Sequence, residues 1–521
     1  MNRRQFLKSI LALGVTSMSR FGEFKYGAEQ YGADLATDRL LTFGLIIAWE
    51  GGVVYSGENE AHGRMISLHV KRGRRGLVGG QHGFYPYFPG VATAIVNNSD
   101  GRYDAWDSDG PLYPNVSPGK FCRLMVRNET TGTLYPIMRG MLTDIQPFDR
   151  GGQKYTRLTI KDSLDFLSHC VSSLEMLEGE SRITIIQRLY EQILKGDLAS
   201  PFSPQYWEWE FGGTPDAGTI DYWWCWQKNT LEAMYEIMES EGGGALFSDR
   251  YGDLVFRPVG YAARRYQNID VADMLRDLTI AQPWEVVRNQ VKVHAYPKTV
   301  EADAATLWTL NSVPVTIADG TTFVVESNYR FGAYTNVGSA AVVVNTHECN
   351  AEAGGGGADV TGSCPLTVPS DQTTGGGAQI TITNNSGATA YLISLTASGK
   401  AIYASNPAIS VAVDVASIAA IGTRSLVLDS NWMEDSPTAQ ENADWLLGEL
   451  VTPQAAPTVQ LEDQPAIQFT PDLYDAVDLT IPTLGLNDVR YRLGGIEHQT
   501  IGTNCNAVRT IFRLEPYMQK T

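Results

Sequence analysis

The residues nearest in type and spacing to a metal site are the aspartates of one short loop. The loop carries Asp100, Asp104, Asp107 and Asp109, and positions 107–110 read Asp-Ser-Asp-Gly, as in part of a calcium-binding loop. Such a loop needs oxygen ligands at fixed positions along its twelve residues. Because position 105 is Ala and position 116 is Val, the pattern fails. We interpret the aspartates as turn-forming residues.

The other candidates for catalysis or metal binding lack the spacing that such sites need. The seven histidines form no HExxH or HxH pair, the six cysteines form no CxxC pair, and no serine lies in a GxSxG motif. A carboxylate pair for glycoside hydrolysis depends on separation in space, so 58 acidic residues give no specific signal. We therefore expect no catalytic residue, no cofactor-binding residue and no metal ligand, and predict that the chain is not an enzyme.

Two cysteines flank a glycine-rich loop. Cys349 and Cys364 lie on either side of Gly354–Gly357. Two interpretations stay open for them. They form a disulfide, or they are two free thiols, which is the state that a reducing cytoplasm maintains.

One basic run interrupts an otherwise acidic chain. It is Lys71-Arg72-Gly73-Arg74-Arg75-Gly76. Contact with phosphate is one interpretation of such a cluster. The preferred interpretation is the ion-paired tip of a hairpin that contacts an acidic neighbouring subunit.

Length and composition describe a folded chain of several domains. Its 521 residues correspond to three or four domains at roughly 100–200 residues each. A hydrophobic content of 43%, with 51 Gly and 24 Pro, is typical of a globular protein with many turns and short strands. The net charge of −18 repels nucleic-acid phosphates and anionic lipid, which argues against tight DNA binding. This acidity fits either a channel wall or ordinary solubility.

The N-terminus allows two interpretations. Arg3–Lys8 resembles a twin-arginine export signal, and Ile10–Val15 would be its apolar region. No A-x-A cleavage site follows, so a short amphipathic N-terminal helix is the preferred alternative. No run reaches the roughly 18 apolar residues of a membrane span, and we expect no stable membrane insertion.

Changes in hydrophobic period divide the chain into five predicted segments. Residues 1–37 are an N-terminal extension. Residues 38–170 carry several short alternating strands at close spacing, which predicts a first small β-barrel. Residues 171–300 mix strands with helical periods, at 181–196 and from Asn229 onward, and are predicted to form an α+β module.

The remaining two segments are also β-rich. Residues 301–425 contain strand-like runs around glycine-rich loops and predict a β-sandwich. Residues 426–521 open with a helix, with Ser436 as N-cap and Pro437 at its first position, and continue as a second small β-barrel. The predicted fold class is thus a multidomain β-rich α+β protein with two small β-barrels, an α+β module and a β-sandwich.

Aromatic residues are concentrated in two stretches of the α+β module. These are Tyr206-Trp207-Glu208-Trp209 and Tyr222-Trp223-Trp224-Cys225-Trp226. Exposed rings would suit permanent interfaces between subunits. Packing within the module is the other interpretation, and both stay open.

Four stretches follow one another in an order that is more specific than any one of them. They are Val96–Lys120 with Pro136–Ile145, then Leu231–Pro258, Ala397–Arg424 and Leu479–Ile496. They are distributed along the chain from residue 96 to residue 496. In this order they resemble the hub proteins of siphophage tail tips and of gene transfer agents.

The resemblance implies a structural protein of the virion, located at the tail tip and assembled in the host cytoplasm. It implies a homotrimer, in which two similar barrels per subunit give six pseudo-equivalent units. The implied partners are the distal tail protein ring, the central tail fibre or spike protein and the tape measure protein. Such a hub closes the tail tube, carries the fibre and opens for ejection, so DNA meets it only in transit through the lumen.

Two alternative functions stay open. A tail-associated cell-wall-degrading enzyme requires a catalytic pair, which the sequence does not show. A Tat-exported carbohydrate-binding protein has only Arg3–Val15 and the predicted β-sandwich in its favour.

Overall fold

The computed structural model describes residues 41–49, 62–74, 86–195, 209–211, 218–259, 263, 265–270, 278–281, 286–339, 342–368, 375–453, 455–462, 464–501 and 507–517. The predicted extension 1–37, with its twin-arginine-like start, lies outside the described residues. So do Arg75, Tyr206–Glu208 and Cys505. Strands dominate the described chain, which confirms the β-rich multidomain class.

The strands are numbered along the chain. Those before residue 162 are β1 (Leu41–Ile47), β2 (Met65–Arg74), β3 (Tyr87–Asn97), β4 (Phe121–Asn128), β5 (Leu134–Arg150) and β6 (Gln153–Lys161). Those from 171 to 295 are β7 (Val171–Ser181), β8 (Trp209–Phe211), β9 (Thr219–Asn229), β10 (Ala245–Ser248), β11 (Leu254–Arg257), β12 (Arg265–Asp270), β13 (Leu278–Ala281) and β14 (Gln290–Ala295).

The remaining strands complete the chain. Those from 298 to 404 are β15 (Lys298–Val300), β16 (Ala305–Thr309), β17 (Val315–Ile317), β18 (Thr322–Asn328), β19 (Val337–Gly338), β20 (Val342–Asn350), β21 (Leu366–Thr367), β22 (Gly377–Thr383), β23 (Ala390–Gly399) and β24 (Ile402–Ala404). The last are β25 (Ala408–Val413), β26 (Ser425–Asp429), β27 (Ala456–Glu462), β28 (Ala476–Ile481), β29 (Leu486–Ile501) and β30 (Ala507–Pro516).

The helices of the described residues are short. The α-helices are α1 (Ser163–Leu167), α2 (Arg182–Lys195), α3 (Thr230–Glu239), α4 (Val415–Ile421), α5 (Ser436–Leu450) and α6 (Pro465–Phe469). Single 3-10 turns occur at His62–Arg64, Thr361–Ser363 and Pro482–Leu484. In the described part of the chain, no helix has the length and apolar character that crossing a membrane requires.

The largest element is a twelve-stranded sheet that contains both ends of the described chain. Its strands run β1-β4-β5-β6-β3-β2-β29-β30-β27-β13, and β28 pairs with both β29 and β12. Alternation explains its inner face, since Ala92, Ala94 and Val96 of β3 are buried while their neighbours are partly exposed. The same alternation buries Val508 and Phe512 of β30.

The two predicted β-barrels do not close among the described residues. The N-terminal strands end in β1 and β2, which do not pair with each other, and β2 instead pairs with β29 of the C-terminal strands. The free edge of β2, which would close the first barrel, therefore pairs with the C-terminal strand β29. The prediction of two separate barrels is corrected to one continuous sheet. In it, an N-terminal strand set (β1–β6) is joined to a C-terminal strand set (β27–β30).

Glycine makes the contact between the two strand sets possible. Gly73 of β2 lies opposite Gly495 of β29, and its backbone has φ +131°. A Cβ on Gly73 would lie 2.5 Å from the Cα of Gly495 and 2.6 Å from the carbonyl oxygen of Gly494. Only a residue without a side chain fits this approach.

The helices predicted from the sequence are present, with one change of cap. Helix α2 begins as expected after Ser181, whose hydroxyl accepts the Thr184 N–H at 3.1 Å. Asn229 caps α3 by accepting the Glu232 N–H at 3.1 Å. The cap of α5, however, is Asp435 rather than Ser436, because the Asp435 carboxylate accepts the Thr438 N–H at 2.8 Å.

Residues 296–407, named the insert here, leave and return between neighbouring strands. Ala295 of β14 lies opposite Ala408 of β25. Within the insert, β16, β17 and β20 pair with β23, whereas β18 and β21 pair with β22. Buried Ile380, Ile382 and Leu392 share one core there, in agreement with the predicted sandwich.

A separate three-stranded sheet carries the insert. Its order is β25-β14-β26, and α5 packs against one face. These elements come from three of the predicted domain ranges, 171–300, 301–425 and 426–521. The boundaries of the domains themselves stay a prediction.

Candidate functional site

The acidic loop is held by hydrogen bonds of its own. Asp100 pairs with Arg64 and Arg102, both at 2.9 Å, and Asp104 accepts from the Asn98 side chain at 2.8 Å. Partial burial raises the pKa of Asp100, but the two guanidinium groups outweigh it and hold that pKa below its usual value. Within the described residues, no group of three or more His, Cys, Asp and Glu side chains is arranged to hold a metal ion.

Two arginines of the basic run lie inside the protein, whereas Lys71 is exposed. Arg72 and Arg74 are buried because inward-facing positions alternate along β2. Arg72 donates from Nη1 to Asp472 at 2.8 Å and from Nη2 to the Ser248 carbonyl at 2.7 Å. The preferred interpretation, contact with a neighbouring subunit, is therefore wrong for these two arginines.

Asp472 receives two arginines from different parts of the chain. Besides Arg72, it accepts the backbone N–H of Arg250 at 2.8 Å and its Nε–H at 3.3 Å. Burial raises the pKa of Asp472, but the two arginines outweigh burial and lower it. This charged junction ties β2 to the β10–β11 turn and to the segment that follows α6.

A second buried charged group lies beside the first. Arg74 Nε and Arg492 Nε are each 3.8 Å from the Glu515 carboxylate. The guanidinium groups lie 4.5 Å above the rings of Tyr87 and Tyr474 respectively, a distance at which a cation is attracted to a ring face. Both charged groups lie between the two strand sets and fix how those sets meet.

The aromatic stretch 222–226 packs within the protein. Trp223 and Trp224 are buried, and their rings lie 5.8 Å and 5.1 Å from the ring of Trp432. These two rings therefore pack inside the chain and not on an exposed surface, but their partner Trp432 lies outside the predicted module 171–300. The first aromatic stretch is described only at Trp209, within β8.

Glycines of the insert receive this aromatic group. The Gly375 N–H donates to the Leu174 carbonyl at 3.0 Å. A Cβ on Gly377 would lie 2.7 Å from ring atoms of Trp226 and would also strike the Ser327 carbonyl oxygen. The insert thus contacts the paired strands β7 and β9 through glycine backbone that carries no side chain.

An exposed apolar face is the feature that sequence reasoning missed. We name as the apolar face the side chains of Ile409, Val411, Val413 and Val427, which are 42% to 55% exposed. Lys292 of β14 lies in one row with Val411 and Val427. Beside the face, α4 has no buried residue, and its first residue Val415 is 72% exposed.

The sequence signal for this face is that the large side chains of β25 occupy its exposed positions and the small ones its buried positions. The strand-like run Ser410–Val413 lies within residues 301–425, for which the sequence predicts a sandwich. In the structure the small residues Ser410 and Ala412 point inward, because α5 approaches closely through Ala439 and Ala443. An apolar face of this kind is suited to binding another protein surface, and it offers no reacting group.

In fold, the chain is similar to solved structures of tail proteins. The chain is similar to a tail protein from Neisseria meningitidis MC58, with 11% identity and TM-score 0.49, over 92% of this chain and 98% of that one. It is similar to the prophage MuSo2 43 kDa tail protein from Shewanella oneidensis, with 10% identity and TM-score 0.47, over 91% and 98%. It is also similar to a chain of a native gene transfer agent particle, with 10% identity and TM-score 0.32, over 92% and 85%.

The other two comparisons find nothing. No protein-family model matches the chain, and no curated protein matches it. The solved structures similar to this chain in fold include phage tail proteins and a gene transfer agent particle, and also a type VI secretion component and VgrG complexes.

Proposed function

We propose that this chain is the structural hub of a phage tail tip. Three copies form a ring that closes the tail tube, carries the central fibre or spike protein and opens for DNA ejection. The ring contacts the distal tail protein ring on one side and surrounds the end of the tape measure protein. The chain acts in the virion and performs no covalent chemistry.

The observation that carries the proposal is the sheet shared by the two ends of the chain. Pairing from His69–Gln499 to Gly73–Gly495 joins the N-terminal strand set to the C-terminal one. The buried charged junction then prevents the two sets from turning independently. A rigid subunit with two strand sets supplies six such sets per trimer, which suits a sixfold tube above and a threefold fibre below.

The apolar face supplies a surface through which copies of the chain meet. Val411 and Val427 flank Lys292 on its two sides, and the Lys292 ammonium group has no ion pair among the described residues. A partner for this face must therefore offer apolar area and a carboxylate. A second copy fits that chemistry, because the chain carries 58 acidic against 40 basic residues.

The mass of the purified full-length protein in solution tests the proposal. Light scattering coupled to size exclusion is expected to give three times the 57.1 kDa of one chain, and electron microscopy is expected to show rings with a lumen. Val411→Glu places a charge in the apolar face and is expected to shift the mass toward one chain. Val324→Glu, at a position 49% exposed on the insert, is the matched control and should leave the trimer intact. A stable monomer at micromolar concentration contradicts the proposal.

A second experiment tests the location. Antibody against the insert should label one end of the tail in intact particles, at the tip. Label distributed along the tail, or absent from particles, argues against a hub. Incubation of the protein with cell-wall peptidoglycan should release no soluble fragments, since release would favour the enzymatic alternative.

A further inference from the structure

The two cysteines around the glycine-rich loop meet inside the insert. Cys349 lies in β20 and Cys364 directly follows the 3-10 turn, and both are fully buried in the same core. Both are free thiols, the Cys364 thiol donates to the Asn384 Oδ1 at 3.7 Å, and the neighbouring Cys364 thiol contributes to the raised pKa of Cys349. The fold therefore brings together two thiols that are fifteen positions apart in the sequence.

The backbone around the pair holds the two arms of the loop side by side. The Val360 N–H donates to the Cys349 carbonyl at 3.0 Å, and the Cys349 N–H donates to the Thr361 hydroxyl at 2.9 Å. The Cys364 N–H donates to the Thr361 carbonyl at 3.0 Å. These bonds fix both cysteines relative to Thr361, so the thiols stay adjacent without a covalent link.

We propose that Cys349 and Cys364 are a modification site, at which oxidation by a small-molecule disulfide joins them and closes the loop 350–363. One cysteine thiolate attacks the oxidant, forms a mixed disulfide and releases the first thiol. The second cysteine thiolate attacks that mixed disulfide and releases the second thiol. Two protein thiols are oxidised, the oxidant is reduced to two thiols, and the protons of the cysteines pass to the released thiolates.

Opening of the loop controls the rate of this step. Burial, and then the neighbouring Cys364 thiol, raise the pKa of Cys349 to about 12. The attacking thiolate is therefore scarce as long as the loop covers the two thiols. Residues 351–356 of the loop are exposed to solvent. A local opening of this segment would admit both water and oxidant without unfolding the rest of the chain.

The other described cysteines serve as internal controls. Cys122, Cys170 and Cys225 are also buried, and each thiol donates to a backbone carbonyl, namely those of Lys120, Phe166 and Ser172 respectively. None of these contacts presents a second thiol. Burial alone therefore does not distinguish the proposed pair, whereas a neighbouring thiol does.

The experiment uses reduced full-length protein incubated with oxidised glutathione. We expect the free thiols, counted after unfolding, to fall from six to four, and the peptides that contain Cys349 and Cys364 to be linked and lighter by two hydrogen atoms. Amide hydrogen exchange of residues 350–363 is expected to slow about tenfold or more. Cys349→Ala should abolish the link, whereas Cys122→Ala should not.

Three results would overturn the proposal. They are six free thiols after incubation, stable glutathione adducts on Cys349 or Cys364 in place of a link, and links that join either cysteine mainly to other cysteines. The thiol count on unmodified protein needs no variant to fold. It also does not depend on trimer formation, so its failure leaves the proposed hub function untouched, and a monomeric protein leaves the disulfide proposal untouched.

Discussion

Arg72 and Asp472 are 400 positions apart in the chain, yet Nη1 of one lies 2.8 Å from Oδ1 of the other. Both side chains are almost completely buried. Removing one partner of a buried ion pair is strongly destabilising, whereas the intact pair stabilises little. Without Arg72, the buried Asp472 carboxylate would keep Arg250 as a partner but would lose its shorter side-chain bond. The pair therefore acts as a constraint on how the two strand sets meet.

Arg72→Met tests this constraint. We expect the variant to lose about 3–5 kcal/mol of unfolding free energy, with faster amide exchange in β2 and β29. The control is Arg64→Met, which removes an ion pair to Asp100 that is about one third exposed and should cost about 1 kcal/mol or less. Equal losses in the two variants would contradict the assignment of Arg72 to a buried junction.

His498 makes the stability of the same region depend on pH. Burial, and then the nearby Arg72 guanidinium, lower the pKa of His498 to about 3. The unfolded chain takes up the proton near pH 6.5, before the folded chain does. Stability is therefore complete above about pH 6.5 and is lost as the pH falls toward 3.

His498→Gln removes this titration and keeps a polar group near Thr510, whose hydroxyl lies 2.9 Å from the His498 ring nitrogen. Between pH 7.5 and pH 4.5 the natural protein should lose about 2–3 kcal/mol more than the variant. Denaturant unfolding of both proteins at each pH gives the difference. Parallel curves over this range would rule out His498 as the source.

Gly377→Ala tests the packing contact between the insert and Trp226. The added methyl group would meet Trp226 and the Ser327 carbonyl, and we expect a loss of about 1–3 kcal/mol with a change in tryptophan fluorescence. Gly354→Ala is the matched control, because a Cβ there has nothing within 4 Å. If the two variants unfold alike, the insert is not held through Gly377.

Asp435→Ala tests the start of α5. The carboxylate caps the first turn, so its loss should cost about 1 kcal/mol. Ser436→Ala should cost clearly less, since the cap bond is made by the preceding residue. A larger loss for Ser436→Ala in thermal unfolding would restore the cap that the sequence predicts.

Local patterns in the sequence predicted the local structure well. The helical period of 181–196 predicted α2, and the alternation expected within residues 38–170 is present in β2 and β6. The inward position of Arg72 was missed because a cluster of charges predicts solvent exposure, while its compensation, Asp472, lies in a segment that no local pattern connects to β2. The single sheet was missed for the same reason, since pairing of β2 with β29 is a long-range property.

The apolar face shows that the size of a side chain does not by itself predict whether it points toward the core or toward solvent. Valine and isoleucine in 409–413 predict an inner face by their hydrophobicity. The close approach of α5 reverses this, because Ala439 and Ala443 leave room only for Ser410 and Ala412. Which side of β25 is buried depends on α5, a helix that follows later in the chain. The sequence of β25 alone therefore does not predict it.

The adjacent exit and return of the insert make it exchangeable. Since Ala295 and Ala408 lie opposite each other, a tight turn between them would preserve β14 and β25 in the absence of residues 296–407. Replacement of the insert by another segment at this position is therefore expected to leave the sheet that joins the chain ends unchanged.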